Sequence, residues 1–294
     1  MGMELQTILE SEGLPELIPR FVEHGITEEI LVTLTDQDLE KIGVRSLGER
    51  RRLLRVFNLK KEASSVLAWV DGGILPLDSD LAAQRVEAFM ISKQRVGVQE
   101  WELIKMWGVV HGYDIVGGMT EAVEGPVTHV SWYNALKWCN ARSEKEGLLP
   151  VYRVLGGIYR KGEFGRDGSE AITWERTLRG YRLPLECEWE WAARGGLLHY
   201  EVDHTAQIED ESNVNKIGLC DMSGDVFDWC WDLDDSGPFR RTRGGNWRHE
   251  CEVLSFGYRA SVPPDSFSGV IGLRMAMDIE GELVEYKKPV ASRW

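Results

Sequence analysis

Arg243-Gly244-Gly245-Asn246-Trp247 opens, and Ile271-Gly272-Leu273-Arg274 closes, the stretch on which the reading of this 294-residue chain turns. Both ends are well specified: glycine permits backbone conformations that other residues resist, and a neighbouring guanidinium satisfies several loop carbonyls at once. The residues between follow neither a helical nor a strand period. A segment fixed at its ends and unconstrained in its middle suits display, so residues 246–270 are expected to form a recognition surface and not a catalytic cleft.

Around that stretch, 43% hydrophobic and 28% charged residues describe an ordinary globular protein of about two domains. Twelve tryptophans predict a core built from large rings set in irregular loops. A net charge of −14 argues against nucleic acid as a main partner, because phosphates demand a concentrated basic face. The opening Met1-Gly2-Met3-Glu4 leads into a charged amphipathic pattern without an apolar leader, and no run approaches the ~18 apolar residues of a membrane span. A cytoplasmic, reduced protein is therefore expected. Cys139, Cys187, Cys220, Cys230 and Cys251 are odd in number and form no Cys-x-x-Cys pair, so they read as small buried hydrophobes.

Residues 1–62 differ in texture from the rest. Leu5, Ile8 and Leu9, then Leu17 and Phe21, then Ile30, Leu31 and Leu34 recur at helical spacing. Thr35-Asp36-Gln37-Asp38 has the form of a capping box, Gly43-Val44 ends the helix it starts, and Ser46 caps a last helix carrying Leu53, Leu54, Val56 and Phe57. Five short helices round one core are predicted. Leu34 to Val44 and Leu47 to Leu54 together resemble the signature of a sterile alpha motif domain. The resemblance implies association with itself or with a partner helical domain, head to tail, through an acidic middle surface and a basic last helix. Asp36 and Asp38 on one side and Arg45, Arg51 and Arg55 on the other are the expected contacts; the alternative is that these charges are solvated surface.

A linker is expected over 63–75, a large domain over 76–282 and a tail over 283–294. In the large domain, helices are predicted over Val98 to Trp107, Tyr133 to Lys145 and Glu186 to Arg194. Arg182, Arg194, Arg243 and Arg274 stand beside turns and are expected to hold loop backbone in place. Four blocks, Phe89 to Lys93, Pro126 to Ala135, Gly180 to Gly196 and Gly218 to Trp229, together with Arg243-Gly244-Gly245 and Gly272-Leu273-Arg274, resemble the formylglycine-generating enzyme (sulfatase-modifying factor) family. This resemblance implies an α+β architecture: a C-type-lectin-like fold, with long loops over a small twisted sheet, following the five-helix domain.

The family's enzymes hold copper with two cysteine thiolates, a soft-ligand site. Counting from Arg243-Gly244-Gly245 puts His249 and Leu254 at the matching positions, with Cys251 alone nearby. Copper-dependent oxidation is therefore not expected, and the formylglycine-generating oxidoreductase stays as the alternative. A relative of the same fold binds iron through three histidines, but His24, His111, His129, His199, His204 and His249 show no such grouping. Asp232, Asp234 and Asp235 read as a solvated loop. No cofactor is required; a structural calcium is what the resemblance implies, with Asp221, Gly224, Val226 and Asp228 as its oxygen ligands.

The layout also resembles the variable proteins of diversity-generating retroelements, non-catalytic members of this fold whose C-terminal segment is rewritten to change ligand specificity. The resemblance places Arg248, His249, Glu250, Val253, Tyr258, Val262, Phe267, Ser268, Gly269 and Val270 at display positions. It leaves Trp247, Leu254, Gly257, Arg259 and Pro263 as scaffold. Aromatic, cationic and small polar residues mixed on loops suit a protein ligand. The alternative is that Tyr258 and Phe267 are core rings.

Overall fold

The computed structural model describes residues 9, 12–31, 33–120, 125–164, 171–196, 214–222, 226–235, 237–245 and 258–279; it does not describe the side chains of 28, 29, 55, 56 and 58–65. The chain divides into two compact units, Met1–Val66 and Leu67–Trp294.

In the first unit a 3-10 turn, Pro15–Leu17, leads into helices α1 (Ile18–Glu23), α2 (Glu28–Leu31), α3 (Asp36–Ile42) and α4 (Leu47–Val66). The capping box exists: the Thr35 hydroxyl accepts from the Asp38 N–H, and the Asp38 carboxylate accepts from the Thr35 N–H at 3.0 Å. Gly43, at φ +96°, closes α3 in the left-handed region. Ser46 caps α4 by accepting from the Glu49 N–H. Leu9, Leu14, Leu17, Phe21, Leu31, Leu39, Val44, Leu53 and Phe57 are buried. The last helix is not short. It spans 20 residues to Val66, and strand β1 (Leu67–Val70) follows, so helix and strand occupy much of the stretch expected as a linker.

The second unit holds two four-stranded sheets. One has the order β1, β4 (Phe89–Ser92), β13 (Ala276–Asp278), β8 (Tyr181–Arg182); the other runs β11 (Arg259–Val262), β10 (Arg240–Arg243), β9 (Phe227–Leu233), β12 (Ile271–Gly272). All pairings are antiparallel except β12 with β9, where Ile271 faces Phe227 and Gly272 faces Asp228. Smaller sheets pair β2 (Gly73–Ile74) with β3 (Arg85–Val86), and β5 (Tyr152–Val154) with β6 (Gly157–Ile158) and β7 (Thr173–Trp174).

The predicted helices form as α5 (Val98–Val110), α6 (Trp132–Lys145) and α7 (Glu186–Ala193). The Ser131 hydroxyl caps α6 by accepting from the Asn134 N–H. Every residue from Trp132 to Glu144 is buried. A helix enclosed on all sides must satisfy its polar side chains internally. Asn140 donates to the carbonyls of Tyr152 and Tyr159, Lys137 pairs with Asp114 at 2.5 Å, and Glu144 accepts from Tyr113 and Arg160.

Tryptophan builds the core as expected. Trp101, Trp132, Trp138, Trp189, Trp191 and Trp229 are fully buried. Trp101 and Trp138 stack at 5.7 Å between α5 and α6. The indole N–H groups of Trp132, Trp191 and Trp229 donate to the carbonyls of Cys230, Asp71 and Val130. That pairing is what lets large polar-edged rings go inside. Among the described residues no helix is long and apolar enough to cross a membrane.

Candidate functional site

The anchors of the expected display segment are interior. Arg243 is fully buried on β10; its guanidinium donates to Glu190 at 2.6 Å and pairs with Glu186 at 3.5 Å. The next residue, Gly244, adopts φ +88°. At the far end Ile271, Leu273 and Arg274 are buried. A Cβ on Gly272 would stand 2.5 Å from the Val127 carbonyl oxygen, so only glycine fits there.

Residues 246–257, which include Arg248, His249, Glu250 and Val253, lie outside the described residues, as do Trp247, Cys251, Leu254 and Gly257. The other expected display positions are described. Tyr258, Val262, Ser268, Gly269 and Val270 are half-buried, and Phe267 is 46% exposed. The described display positions are therefore half-open side chains between closed anchors, with Val262 and Ile271 on the two edge strands of the sheet. Tyr258 tilts against Phe227 with centroids 5.7 Å apart, so one face of this ring is committed to packing. Phe267 rests against Gly117, whose φ of +77° and missing side chain make room for the ring.

Backbone bonds hold the loop under these side chains. Ser268 and Val270 carbonyls accept from the N–H groups of His129 and Phe227 at 2.9 and 2.8 Å, and the Pro264 carbonyl accepts from Trp132. Of the expected scaffold residues, Arg259 pairs with Glu186 at 2.8 Å. Pro263 is exposed, and its neighbour Pro264 takes the buried position instead.

Beneath β10 and β11 lies a charged layer. Glu186 meets Arg243, Arg259 and, at 3.7 Å, Arg241; burial pushes its carboxyl above the usual range and the arginines pull it back. Asp232 accepts from the Glu186 N–H at 2.6 Å, and burial lifts its carboxyl too. Asp234 is buried and pairs with Arg241 at 2.5 Å. The expectation of a solvated acidic loop holds only for Asp235, which is fully exposed.

The arginines expected to bind loop carbonyls mostly bind carboxylates. Arg182 grips Glu188 with two N–H groups at 2.7 and 2.8 Å and also meets Asp278. Arg194 meets Glu190 and Asp78. Arg274 comes nearest to the expectation, donating to the carbonyls of Ser92, Lys93 and Cys220 as well as to Asp228.

Asp228 does not fit the calcium role. It is fully buried, with Oδ1 accepting from Arg95 and Oδ2 from both Trp189 and Arg274, each at 3.0 Å. Two guanidinium groups already neutralise the carboxylate, and a divalent cation would be driven off by them. Val226 is buried, Asp221 is half-exposed at φ +55°, and Gly224 lies outside the described residues. Among the described residues no group of three His, Cys, Asp or Glu could hold a metal. His199, His204 and His249 lie outside them.

Cys139, Cys187 and Cys230 are buried and unpaired. Burial pushes the Cys139 and Cys187 thiols up to about 12 and the Cys230 thiol well above its ordinary value. They stay protonated, as hydrophobic side chains and not as soft metal ligands.

In the first unit, the carboxylates of Asp36 and Asp38 already serve their own domain, Asp36 accepting from Arg50 at 2.9 Å and Asp38 capping α3. Both stay partly open to solvent, and Arg45 and Arg51 are exposed. The Arg55 side chain lies outside the described residues. Sequence reasoning missed Arg95 and the aromatic cluster around Arg240; neither stands in a motif, and only spatial neighbours reveal them.

One family model, the sulfatase-modifying factor enzyme 1-like domain, matches residues 60–216 and 201–279. The chain belongs to that family. Its residues 5–60 match the sterile alpha motif (SAM) domain. Among solved structures similar to this family member, CarF aligns with a TM-score of 0.61 at 25% identity, over 73% of this chain and 98% of its own. Variable protein 1 of Treponema denticola aligns at 0.55 and 23% identity, over 72% and 94%. The chaperone protein LppX of Paenibacillus barcinonensis is 25% identical over 262 residues, 72% of this chain and 89% of that protein. The chain spans 32% of a serine/threonine-protein kinase of Chlamydia pneumoniae and 48% of the formylglycine-generating enzyme of Streptomyces coelicolor, each 30% identical where it matches. The fold is the α+β, C-type-lectin-like fold of this family, behind an N-terminal helical SAM domain.

Proposed function

We propose that the second unit is a non-catalytic, ligand-binding domain that meets a protein through residues 246–270, and that the chain is a variable protein of a diversity-generating retroelement. The observation that carries this reading is the contrast between the buried anchors, Arg243 and Ile271 to Arg274, and the half-open Tyr258, Val262 and Phe267 to Val270 between them. Likeness in fold to the Treponema variable protein supports it, as does the sequence, which has His249 and Leu254 where two cysteines are needed. The SAM domain clusters copies or docks an adaptor, turning weak single contacts into avidity. Unpaired buried thiols suit a reducing, cytoplasmic setting.

Peptide phage display on the full chain tests the binding role. Selected clones should lose most of their binding to a variant carrying Tyr258→Ala and Phe267→Ala; undiminished binding refutes the assigned surface. Flanking DNA with a reverse transcriptase gene and a near-repeat of the codons for residues 243–274 would support diversification. Reversing charge at Arg51 and Arg55 should lower the mass seen by light scattering if SAM contacts run head to tail. The family match keeps a second reading, a formylglycine-generating oxidoreductase. Aldehyde formation on a Cys-x-Pro-x-Arg peptide with copper would establish that reading and end the purely binding one.

A further inference from the structure

Arg50, Arg95, Arg142, Arg182, Arg243 and Arg274 are the buried arginines among the described residues, and each is ion-paired to a carboxylate. Arg240 breaks the pattern. It is half-buried, with its guanidinium 3.7 Å from the Trp132 ring centroid and 5.4 Å from that of Trp231. Its one hydrogen bond goes to the Trp231 carbonyl at 2.8 Å, and among the described residues no carboxylate pairs with it. A guanidinium carries five N–H donors, so most of this one's capacity is unused. Burial pushes its pKa down to about 10, and the more distant Asp232 carboxylate offsets this only in part.

Further rings pack against this wall. The Trp174 indole N–H is buried without a partner, and its ring meets Trp231 edge-on at 6.0 Å. Tyr152 stacks on the same Trp231 at 5.1 Å, so the wall is fixed by packing. The cluster lies beside the proposed binding surface, because Arg240 on β10 is the register partner of Val262 on β11.

We propose that Arg240, held against Trp132 and Trp231, forms a fixed carboxylate-binding subsite at the edge of the display surface, taking an aspartate or glutamate side chain of the protein ligand. A carboxylate matches the planar fork of a guanidinium. Aromatic walls strengthen the pair by excluding water. The chain's net charge of −14 repels acidic ligands at long range, so selectivity comes from this contact and not from steering. The subsite rests on the binding reading of the second unit, but the two fail separately: the probe below interrogates only this cluster, whereas display is tested through Tyr258 and Phe267.

The test uses the full chain, labelled with 15N in its arginine side chains and titrated with hexaglutamate, hexaglutamine or inorganic phosphate at matched ionic strength. The Arg240 Nε–Hε signal is assigned by its loss in Arg240→Lys. Hexaglutamate should move that signal saturably and hexaglutamine should not. No movement, equal movement with hexaglutamine, or movement with phosphate alone overturns the carboxylate assignment. Arg240→Lys, with folding checked by circular dichroism, should weaken hexaglutamate about tenfold through loss of the fork. If that variant does not fold, Arg240→Gln keeps a polar end but removes the charge and the fork, and should weaken binding at least as much; unchanged affinity in the folded variant refutes the subsite.

Discussion

Arg274 Nε donates to Asp228 Oδ2 at 3.0 Å, and neither side chain touches solvent. The strand pairing between β12 and β9 brings them together, since Gly272 faces Asp228 across the sheet. Arg95 reaches the other oxygen of the same carboxylate, so one acid ties the Ile271–Arg274 anchor to the loop before α5. Removing it strands two buried cations.

Asp228→Ala should therefore destabilise the second unit by about 3–5 kcal/mol, the usual result of breaking a buried pair from one side. Urea unfolding followed by tryptophan fluorescence measures it. A loss within experimental error of zero would show that the arginines find other partners.

Because Asp228 is committed to cations, calcium should not raise the unfolding temperature, nor should EDTA lower it. Differential scanning calorimetry with each additive decides this. A calcium-dependent rise abolished in Asp221→Ala would mean that the loop binds the ion by other oxygens.

The pH response of Asp232 has a definite sign. Burial raises its carboxyl in the folded chain, so the protonated form is favoured by folding. Its contribution to stability is full below the ordinary carboxylate range and is lost as pH rises through the raised value. Asp232→Asn still accepts from the Glu186 N–H and avoids that loss. The variant should gain on the wild type at neutral pH and lose the advantage in acid, as read from urea midpoints.

Thiol reagents should spare Cys139, Cys187 and Cys230 in the native chain near neutral pH, because thiols pushed well up by burial offer almost no thiolate. Among the four described cysteines, mass mapping after brief labelling should find modification only at Cys220. Native labelling of Cys139 would indicate opening of the α6 core.

In the SAM domain, Thr35→Ala should cost roughly 1 kcal/mol through loss of the α3 cap, with Thr35→Ser recovering most of it. Chemical denaturation followed by helical circular dichroism tests the pair.

Helices were legible where the signal is local. Thr35 with Asp38, Gly43 after Ile42, and Ser46 before Leu47 are caps readable within four residues, and each forms. The tryptophan core was legible from composition, and the fold from motifs spaced along the second unit. Ion-pair partners were not, because Arg95 meets Asp228 from 133 positions away and nothing near either residue announces the other. The resemblance placed Asp228 by its motif, and its neighbours reassigned it. The end of α4 was misplaced for a related reason: Lys60 to Val66 carries no stop signal, so the helix runs on until the strand begins.

The enclosed α6 has one more consequence, for inheritance. From Trp132 to Glu144 no side chain has an idle face, so any replacement there forces a neighbour to refit. Tolerance for change is thereby pushed outward, to the half-open rim loops. A scaffold with so intolerant a centre can afford a restless edge.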